Sequence, residues 1–598
     1  MRLRFFLRYS LYVLLTLFLY HFAFFLKYFE SKQINIGLLR DVLYICFRFD
    51  LVTASYFLMP VLFLIYLPVS ERFKNYFRSL FLLLYVWLIF FIIYLFIDLI
   101  YYQFSLRHLS FEFLNARGEI KPLLKIGLTQ YKFEMFLLFT YIVFLSYNYF
   151  KVFSDRYFKN KFTPFLGHFV NFVFLLILLI VFSRGGLQWK PIKLSDAFVF
   201  EDPSLGHLCL NGFYTSLKTI YEVKIKKNKN RYESLKCNSK SLIELKSIFY
   251  SYNEVPFGEE FPILRRFNYE IGDFKKLNVV IFVMESWSGK FIKSVGGEVV
   301  ATPFFDSLTK KGLLVENFFA NGQRSIEGIS AIITSIPPWN GMILSENPIL
   351  SQASVNFLPK ILTNHGYETI FIHGAKYGSM GLSSFAKHAG FKRYISKEDL
   401  LKMGGKDDGV WGIYDEDTFL IANRIFEKES KPFFAIIFSL TSHTPYRVPD
   451  KRFKVFDKEH KYSDFLNSLY YSDYALSRFF EEAQKSRYFK NTLFIILGDH
   501  TEGKTTKNSI FERFHVPCLF YAPDFIKPEI INIPSSQLDI VPTVLDILKS
   551  SDFHSSFGQS MYRKNKNHPT ILSYGDLAVY NRNHYFLLAS PEKAMGFY

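Results

Sequence analysis

The sequence predicts an α/β domain with a central, mostly parallel sheet, preceded by five membrane-spanning helices. Three observations predict it. Half of the 598 residues are apolar, and they crowd into the first third of the chain, where five stretches are each long enough to cross a bilayer. From Leu277 onward, short apolar runs alternate with helical stretches, the pattern of parallel strands joined by crossover helices. Polar residues able to hold a ligand follow four of those runs, and in open parallel sheets ligands gather outside the carboxyl ends of the strands. The chain thus divides into a membrane part (1–185), a linker (186–275) and a large globular domain (276–598).

The expected spans are Phe6–Leu26, Val42–Leu67, Leu80–Tyr102, Phe133–Tyr149 and Phe165–Phe182. Met-Arg-Leu-Arg opens the chain with no small-residue cleavage site behind it, so the first span reads as a retained signal anchor. Ten Lys and Arg lie in the N-terminus and the second and fourth connections, against eight in the first and third. That bias favours a cytoplasmic N-terminus, and an odd number of spans then puts everything after Phe182 outside the cytoplasm. Arg48, Asp50 and Asp98 lie in or at the edge of spans. Charges there face a bundle interior, and an Arg–Asp pair tying two helices is the preferred reading over a lipid-headgroup contact.

The net charge of +18 points to nucleic acid or an anionic membrane surface as neighbour, and the visible spans select the membrane. The basic run Lys224, Lys226, Lys227, Lys229 and Arg231 suits either anionic headgroups or a solvated face. Four cysteines are too few for a disulfide scaffold. Cys46 and Cys518 sit in apolar runs, which leaves Cys209 with Cys237 as the one pair open to bonding, and the residues do not decide whether it forms.

In the globular domain five runs read as buried strands: Asn278–Met284, Glu368–Ile372, Phe433–Leu440, Thr492–Leu497 and Val516–Tyr521. Glu285 follows the first, His373 the second, and His443 comes just after the third. Asp499 and His500 follow the fourth. Singly each has a plain explanation, as a helix cap or a structural histidine. Together, at equivalent strand ends, they suggest one rim. Carboxylate and imidazole ligands suit zinc or manganese. A Ser-His-Asp triad is the rival, although no Gly-x-Ser-x-Gly elbow is present.

Asn321-Gly322-Gln323-Arg324-Ser325 runs into an apolar helical stretch, Ile329–Ile336. Ser325 is then expected at the helix N-terminus, where backbone N–H groups and the dipole favour anions such as phosphate. A metal-activated serine can attack phosphorus, and Arg324 can offer charge to phosphate oxygens. The plain alternative is that serine is a favoured N-cap residue. Thr302 and Pro303 are good start signals for a helix over Pro303–Lys311, which reads as scaffold, as does Asp539–Leu548.

At these residues the chain resembles the alkaline phosphatase–sulfatase superfamily and, within it, the lipoteichoic acid synthase family of phosphoglycerol transferases. The motifs are Val-Met-Glu-Ser-Trp-Ser (283–288), Thr-Pro-Phe-Phe-Asp-Ser-Leu (302–308), Phe-Phe-Ala-Asn-Gly-Gln-Arg-Ser (318–325), Ser-Leu-Thr-Ser-His-Thr-Pro-Tyr (439–446), Leu-Gly-Asp-His-Thr (497–501) and Gln-Leu-Asp-Ile-Val-Pro-Thr (537–543). Arg-Phe-Asp-Leu (48–51) and Ser-Arg-Gly-Gly (183–186) look like the membrane and linker signatures of the same family.

The resemblance implies a sulfatase-like extracytoplasmic domain on a multi-pass anchor in a bacterial cytoplasmic membrane. It implies one divalent metal, usually Mn2+ with Zn2+ or Mg2+ as alternatives, held by Glu285, Ser325, Asp499 and His500. Ser325 is implied as nucleophile, His443 as a phosphate contact or proton carrier, and His373 as a pocket residue. The implied reaction moves the headgroup of a phospholipid donor, phosphatidylglycerol, through Ser325 to a glycolipid, polymer or glycan acceptor; nucleic acid is not an expected partner. Phosphoethanolamine transfer to lipid A or a glycan is one alternative, and a non-catalytic envelope factor retaining the fold is another. Two departures stand out. The family's Trp and Arg that grip glycerophosphate are missing after His373, where Lys376 is the substitute on offer. The Cys/Ser-x-Pro-x-Arg motif of true sulfatases is absent too, so sulfatase activity is not expected.

Overall fold

In the computed structural model, residues 2–28, 36–70, 73–105, 108–109, 131–152, 165–188, 191–197, 200, 203–221, 250–258, 261, 263–338, 356–457, 459–503, 505, 510–563, 570–574, 577–582, 585–589 and 594–597 are described. The chain forms two compact units, Met1–Lys229 and the bulk of Asn230–Tyr598.

Among the described residues of the first unit, five helices are long and apolar enough to cross a membrane. They are α1 (Arg2–Tyr28), α2 (Ile36–Tyr66), α3 (Lys74–Ser105), α4 (Lys132–Val152) and α5 (Phe165–Ser183), which cover the expected spans apart from Leu67, with α2 and α3 starting six residues earlier. Two short helices follow, α6 (Pro203–Leu208) and α7 (Gly212–Ile220). Asn211 caps α7 by accepting the Tyr214 N–H.

The charges in the spans are satisfied, but Arg48 is ion-paired with neither Asp50 nor Asp98. Asp50 pairs with His21 across α1 and α2 at 2.7 Å, while Arg48 Nε donates to the Gly185 carbonyl at 3.0 Å. Asp98, fully buried, accepts from the Tyr20 hydroxyl, His108, and the Leu109 and Gly212 N–H groups. A buried carboxylate needs such partners because leaving it unpaired costs several kcal/mol.

Part of the expected linker lies within the described residues. Residues 191–197 and 203–221 belong to the first unit and 250–275 to the second. The basic run at 224–231 and Cys237 lie outside the described residues. Buried Arg265, in a short strand pair with Glu254–Pro256, ties that part of the second unit down by ion-pairing Glu254 at 2.9 Å and donating to the Ser556 and Gly558 carbonyls.

The second unit is built on an eight-stranded sheet among the described residues. In chain order its strands are β1 (Asn278–Met284), β2 (Leu313–Val315), β3 (Glu368–His373), β4 (Arg393–Ile395), β5 (Phe433–Phe438), β6 (Thr492–Gly498), β7 (Cys518–Tyr521) and β8 (Glu529–Ile531). The spatial order is β8-β2-β7-β6-β1-β5-β3-β4. From β6 to β4 every pairing is parallel. All five expected strands form; β7, however, runs antiparallel to both β6 and β2, and β2, β4 and β8, three residues each, carry too short a pattern to be read from sequence.

The sheet is covered on both faces, which explains the continuous apolar runs. Val279, Ile281 and Val283 face one core with α9 (Ser325–Thr334) and α12 (Ile540–Ile547). Val280, Phe282 and Met284 face the other with α10 (Asp415–Phe426) and α11 (Ser463–Ala483). Helix α8 (Pro303–Leu308) begins at Pro303 as expected, but Thr302 makes no side-chain cap. Asp473 of α11 accepts the Phe304 and Phe305 N–H groups in its place. Four C-terminal strands within 570–597 form a separate antiparallel sheet.

Candidate metal centre

The four parallel strands β6, β1, β5 and β3 are neighbours in the sheet, so their carboxyl ends form one contiguous rim. β1 delivers Glu285, and β6 delivers Asp499 and His500. One ligand atom from each of these three lies within 4.8 Å of the other two. Helix α9 starts against them: Ser325 Oγ is 3.2 Å from Glu285 Oε2 and 3.2 Å from His500 Nε2. Ser325 is buried in the first helical residue. Arg324 takes the N-cap position that the plain reading gave to Ser325. An arginine side chain has no acceptor to offer. Glu327 closes this end by accepting the Gln323 and Arg324 N–H groups.

Each group is held from behind. Ser286 donates its hydroxyl to Glu285 Oε1 and its N–H to Asp499 Oδ1, both at 2.8 Å. It does so at φ 58, a left-handed conformation that costs a non-glycine residue about 1–3 kcal/mol and so marks a constrained turn. Ser439 Oγ accepts the Glu285 N–H at 2.7 Å. Gln537 Nε2 donates to the Gly498 and Asp499 carbonyls at 2.9 and 2.7 Å, while its Oε1 accepts the Asn321 N–H from the loop before α9. His500 Nδ1–H donates to the Thr501 carbonyl at 2.9 Å, which leaves the Nε2 lone pair facing Ser325.

The cluster is short of positive charge. Burial, with the Glu285 charge adding, pushes Asp499 up to about 7. Burial alone lowers His500, but Asp499 and Glu285 outweigh it and the net shift is upward. Asp499 Oδ2 is buried with no hydrogen-bond partner. An orphaned carboxylate oxygen among a second carboxylate and an imidazole lone pair fits a divalent cation.

The other expected residues are placed less uniformly. His373 ends β3 in register with Phe438, stacks on it at 4.5 Å and is fully buried. Burial pulls it down to about 4, so it is neutral and its Nε2, which has no partner, is the polar atom it presents. His443 is half-buried, and Nδ1–H donates to the Thr444 carbonyl at 3.0 Å. Arg324 is exposed and its Nε pairs with Glu327 at 2.8 Å. Lys376 is exposed just after β3.

Three contributors were not foreseen as site residues. Gln537 opens the Gln-Leu-Asp-Ile-Val-Pro-Thr motif, which assigns it no role. Asp415 at the start of α10 accepts the Leu440 and Thr441 N–H groups, fixing the turn that carries His443; burial pushes it up to about 7. Trp411, 38% exposed, places its ring 4.2 Å from His443 and donates its indole N–H to the Thr444 carbonyl at 2.6 Å. Asp408 Oδ1 holds the Val410, Trp411 and Gly412 N–H groups. Gly412 bridges to Ala375, just beyond His373, where any Cβ would come within 2.0 Å of the Gly374 carbonyl oxygen. An aromatic side chain thus reaches the rim from a different stretch of chain than the one after His373. The surrounding Asp-Asp-Gly turn signals gave no clue to that partner.

Residues 277–550 match the family model described as Sulfatase. Curated relatives include phosphoglycerol transferase I of Escherichia fergusonii, 27% identical over 218 residues, covering 34% of this chain and 29% of that protein. Lipoteichoic acid synthase 1 of Bacillus subtilis is 21% identical over 343 residues, 52% of this chain and 51% of the other. A crystal structure of an alkaline phosphatase superfamily protein from Vibrio parahaemolyticus aligns with TM-score 0.54 and 26% identity, over 60% of this chain and 88% of that one. The chain spans from under a third to about half the length of these curated relatives.

Proposed function

We infer that this chain, whose residues 277–550 form a sulfatase-family domain with the alkaline phosphatase superfamily fold, is a membrane-anchored phosphotransferase that moves a phosphoglycerol headgroup from phospholipid to a hydroxyl acceptor. The observation that carries it is the position of Ser325 Oγ, within hydrogen-bond reach of both Glu285 and His500 at the start of a buried helix. The sequence likeness to a phosphoglycerol transferase and a lipoteichoic acid synthase supports the substrate class.

Glu285, Asp499, His500 and Ser325 would hold one divalent cation, Mn2+ by family likeness. Such a cation supplies positive charge that lowers the pKa of a neighbouring hydroxyl and offsets phosphate charge. The chain's own groups do the rest. Ser325 releases its proton to solvent and Oγ forms a bond to phosphorus, while the bond from phosphorus to the diacylglycerol oxygen breaks. The first turn of α9 favours the phosphate oxygens. His443, with Nδ1–H fixed on Thr444, presents Nε2 to carry a proton to the departing diacylglycerol oxygen and later to accept one from the incoming hydroxyl. That hydroxyl displaces Ser325 from phosphorus, completing transfer. Trp411 and Lys376 lie at the rim for headgroup contact, and Arg324 for charge.

On this reading the N-terminus is cytoplasmic and residues after α5 lie outside the cytoplasm, on the side of a glycolipid, polymer or glycan acceptor; the five apolar helices among the described residues support it. Transfer of labelled glycerol headgroup by membranes carrying the full chain tests the reading. Activity equal to wild type in Ser325→Ala would sink the nucleophile. The mass of the trapped Ser325 adduct decides the headgroup, since phosphoethanolamine in its place would establish the alternative donor.

A further inference from the structure

We propose that Cys46 and Cys209 are joined by a disulfide that pins the segment after the fifth span to the second span. Their sulfurs approach to 2.9 Å, and 163 residues separate them in sequence. Each thiol also faces the other's backbone. Cys209 Sγ lies 3.6 Å from the Val42 carbonyl, one turn before Cys46, and Cys46 Sγ lies 3.8 Å from the carbonyl of Leu208, the neighbour of Cys209. Both side chains are buried.

The approach does not depend on the thiols alone. Asn211 Nδ2 donates to Thr53 on α2 at 3.1 Å. The Gly212 N–H donates to Asp98 on α3 at 2.7 Å. Ser216 and Tyr94 share a hydrogen bond at 2.6 Å. Packed elements therefore hold the two sulfurs together, the condition under which a cross-link closes without moving backbone. Cys209 is in this way committed to Cys46 and not to Cys237.

Cys46 sits one turn into the apolar run that starts at Val42, and Cys209 follows α5. With the orientation inferred above, on which this inference rests, both lie at the outer edge of the membrane part, where disulfides form and persist. The co-reactant is a protein disulfide oxidant. One cysteine thiolate attacks the oxidant's disulfide and releases one oxidant thiol. The second cysteine then attacks the mixed disulfide, so the oxidant leaves as a dithiol with the two electrons. Burial of both sulfurs after docking assigns that exchange to folding and shields the finished bond.

Freshly prepared membranes carrying the full chain are quenched in acid, denatured and treated with a polyethylene-glycol maleimide. Four cysteines are available. Two adducts without reductant and four with it are expected, with a Cys46–Cys209 peptide in the mass spectrum. Cys46→Ser and Cys209→Ser should each give three adducts with or without reductant. Four adducts in the unreduced wild type, or a Cys209–Cys237 peptide, overturns the proposal. A reporter fused after residue 221 separates the causes: read outside the cytoplasm, it leaves the cross-link alone at fault; read inside, it faults the orientation as well.

Discussion

The carbonyl oxygen of Asp499 lies 2.2 Å from where a Cβ on Gly328 would stand. Helix α9 can press Ser325 into the ligand cluster only because its fourth residue has no side chain. Gly328→Ala must therefore push the helix away from β6. We expect a loss of about 10²-fold in kcat, the order seen when a reacting group is displaced by about 1 Å. Overpacking should also cost about 1–3 kcal/mol of stability. Headgroup-transfer kinetics and a denaturant midpoint check both parts, and unchanged kcat would show that the contact does not set the geometry.

Gln537 touches no expected ligand atom, yet it joins the Asp499 backbone to the loop before Ser325. Gln537→Leu removes both links at similar size. Outer partners of metal ligands are typically worth about 10–100-fold in metal affinity, and that is the loss expected by calorimetric titration of Mn2+ into the metal-stripped full chain. Glu285→Gln should lose more, because it removes a ligand charge directly.

Trp411 is the rim residue whose position sequence did not foretell. Trp411→Ala should raise KM by roughly tenfold, the upper end of what an aromatic contact contributes, with a smaller change in kcat. Asp408→Ala should mimic it, since Asp408 holds three N–H groups of that loop. A fall in kcat with KM constant would assign Trp411 to holding His443 instead of substrate.

In the second unit His373 and His515 are buried, His388 is half-buried, and all three are neutral. Burial lowers His373 to about 4, His388 to about 3 and His515 to about 4, from the ordinary 6.5. Above pH 6.5 folded and unfolded chains alike leave them uncharged, so their contribution is full and flat. Below it the unfolded chain takes up protons that the folded chain refuses. Stability should fall as pH drops from about 6.5 to about 4, by about 1.4 kcal/mol per pH unit for each group. His515, whose ring donates to the Glu316 carbonyl at 2.8 Å, is the cleanest test. His515→Gln should reduce the slope by one proton in a pH series of denaturant midpoints.

The residues themselves determined a good deal. Five apolar stretches and five apolar runs set the spans and the main strands, because burial in lipid or on both faces of a sheet demands uninterrupted apolar side chains. Glu285, Ser325, Asp499 and His500 were legible because each stands at a strand end or a helix start, the points where an α/β fold exposes polar groups. The short strands β2, β4 and β8, the antiparallel turn of β7, and the partners of Arg48 and Asp50 were not legible. Three residues carry no period, and an ion pair across spans depends on which faces meet.

What only the tertiary structure decided is adjacency. Strand ends far apart in the chain share a rim because β6, β1, β5 and β3 lie side by side, and no local pattern encodes that order. The same holds for Trp411 beside His443 and for Cys209 beside Cys46. Local sequence fixes how a segment folds, whereas the partner it meets is chosen by the packing of the whole.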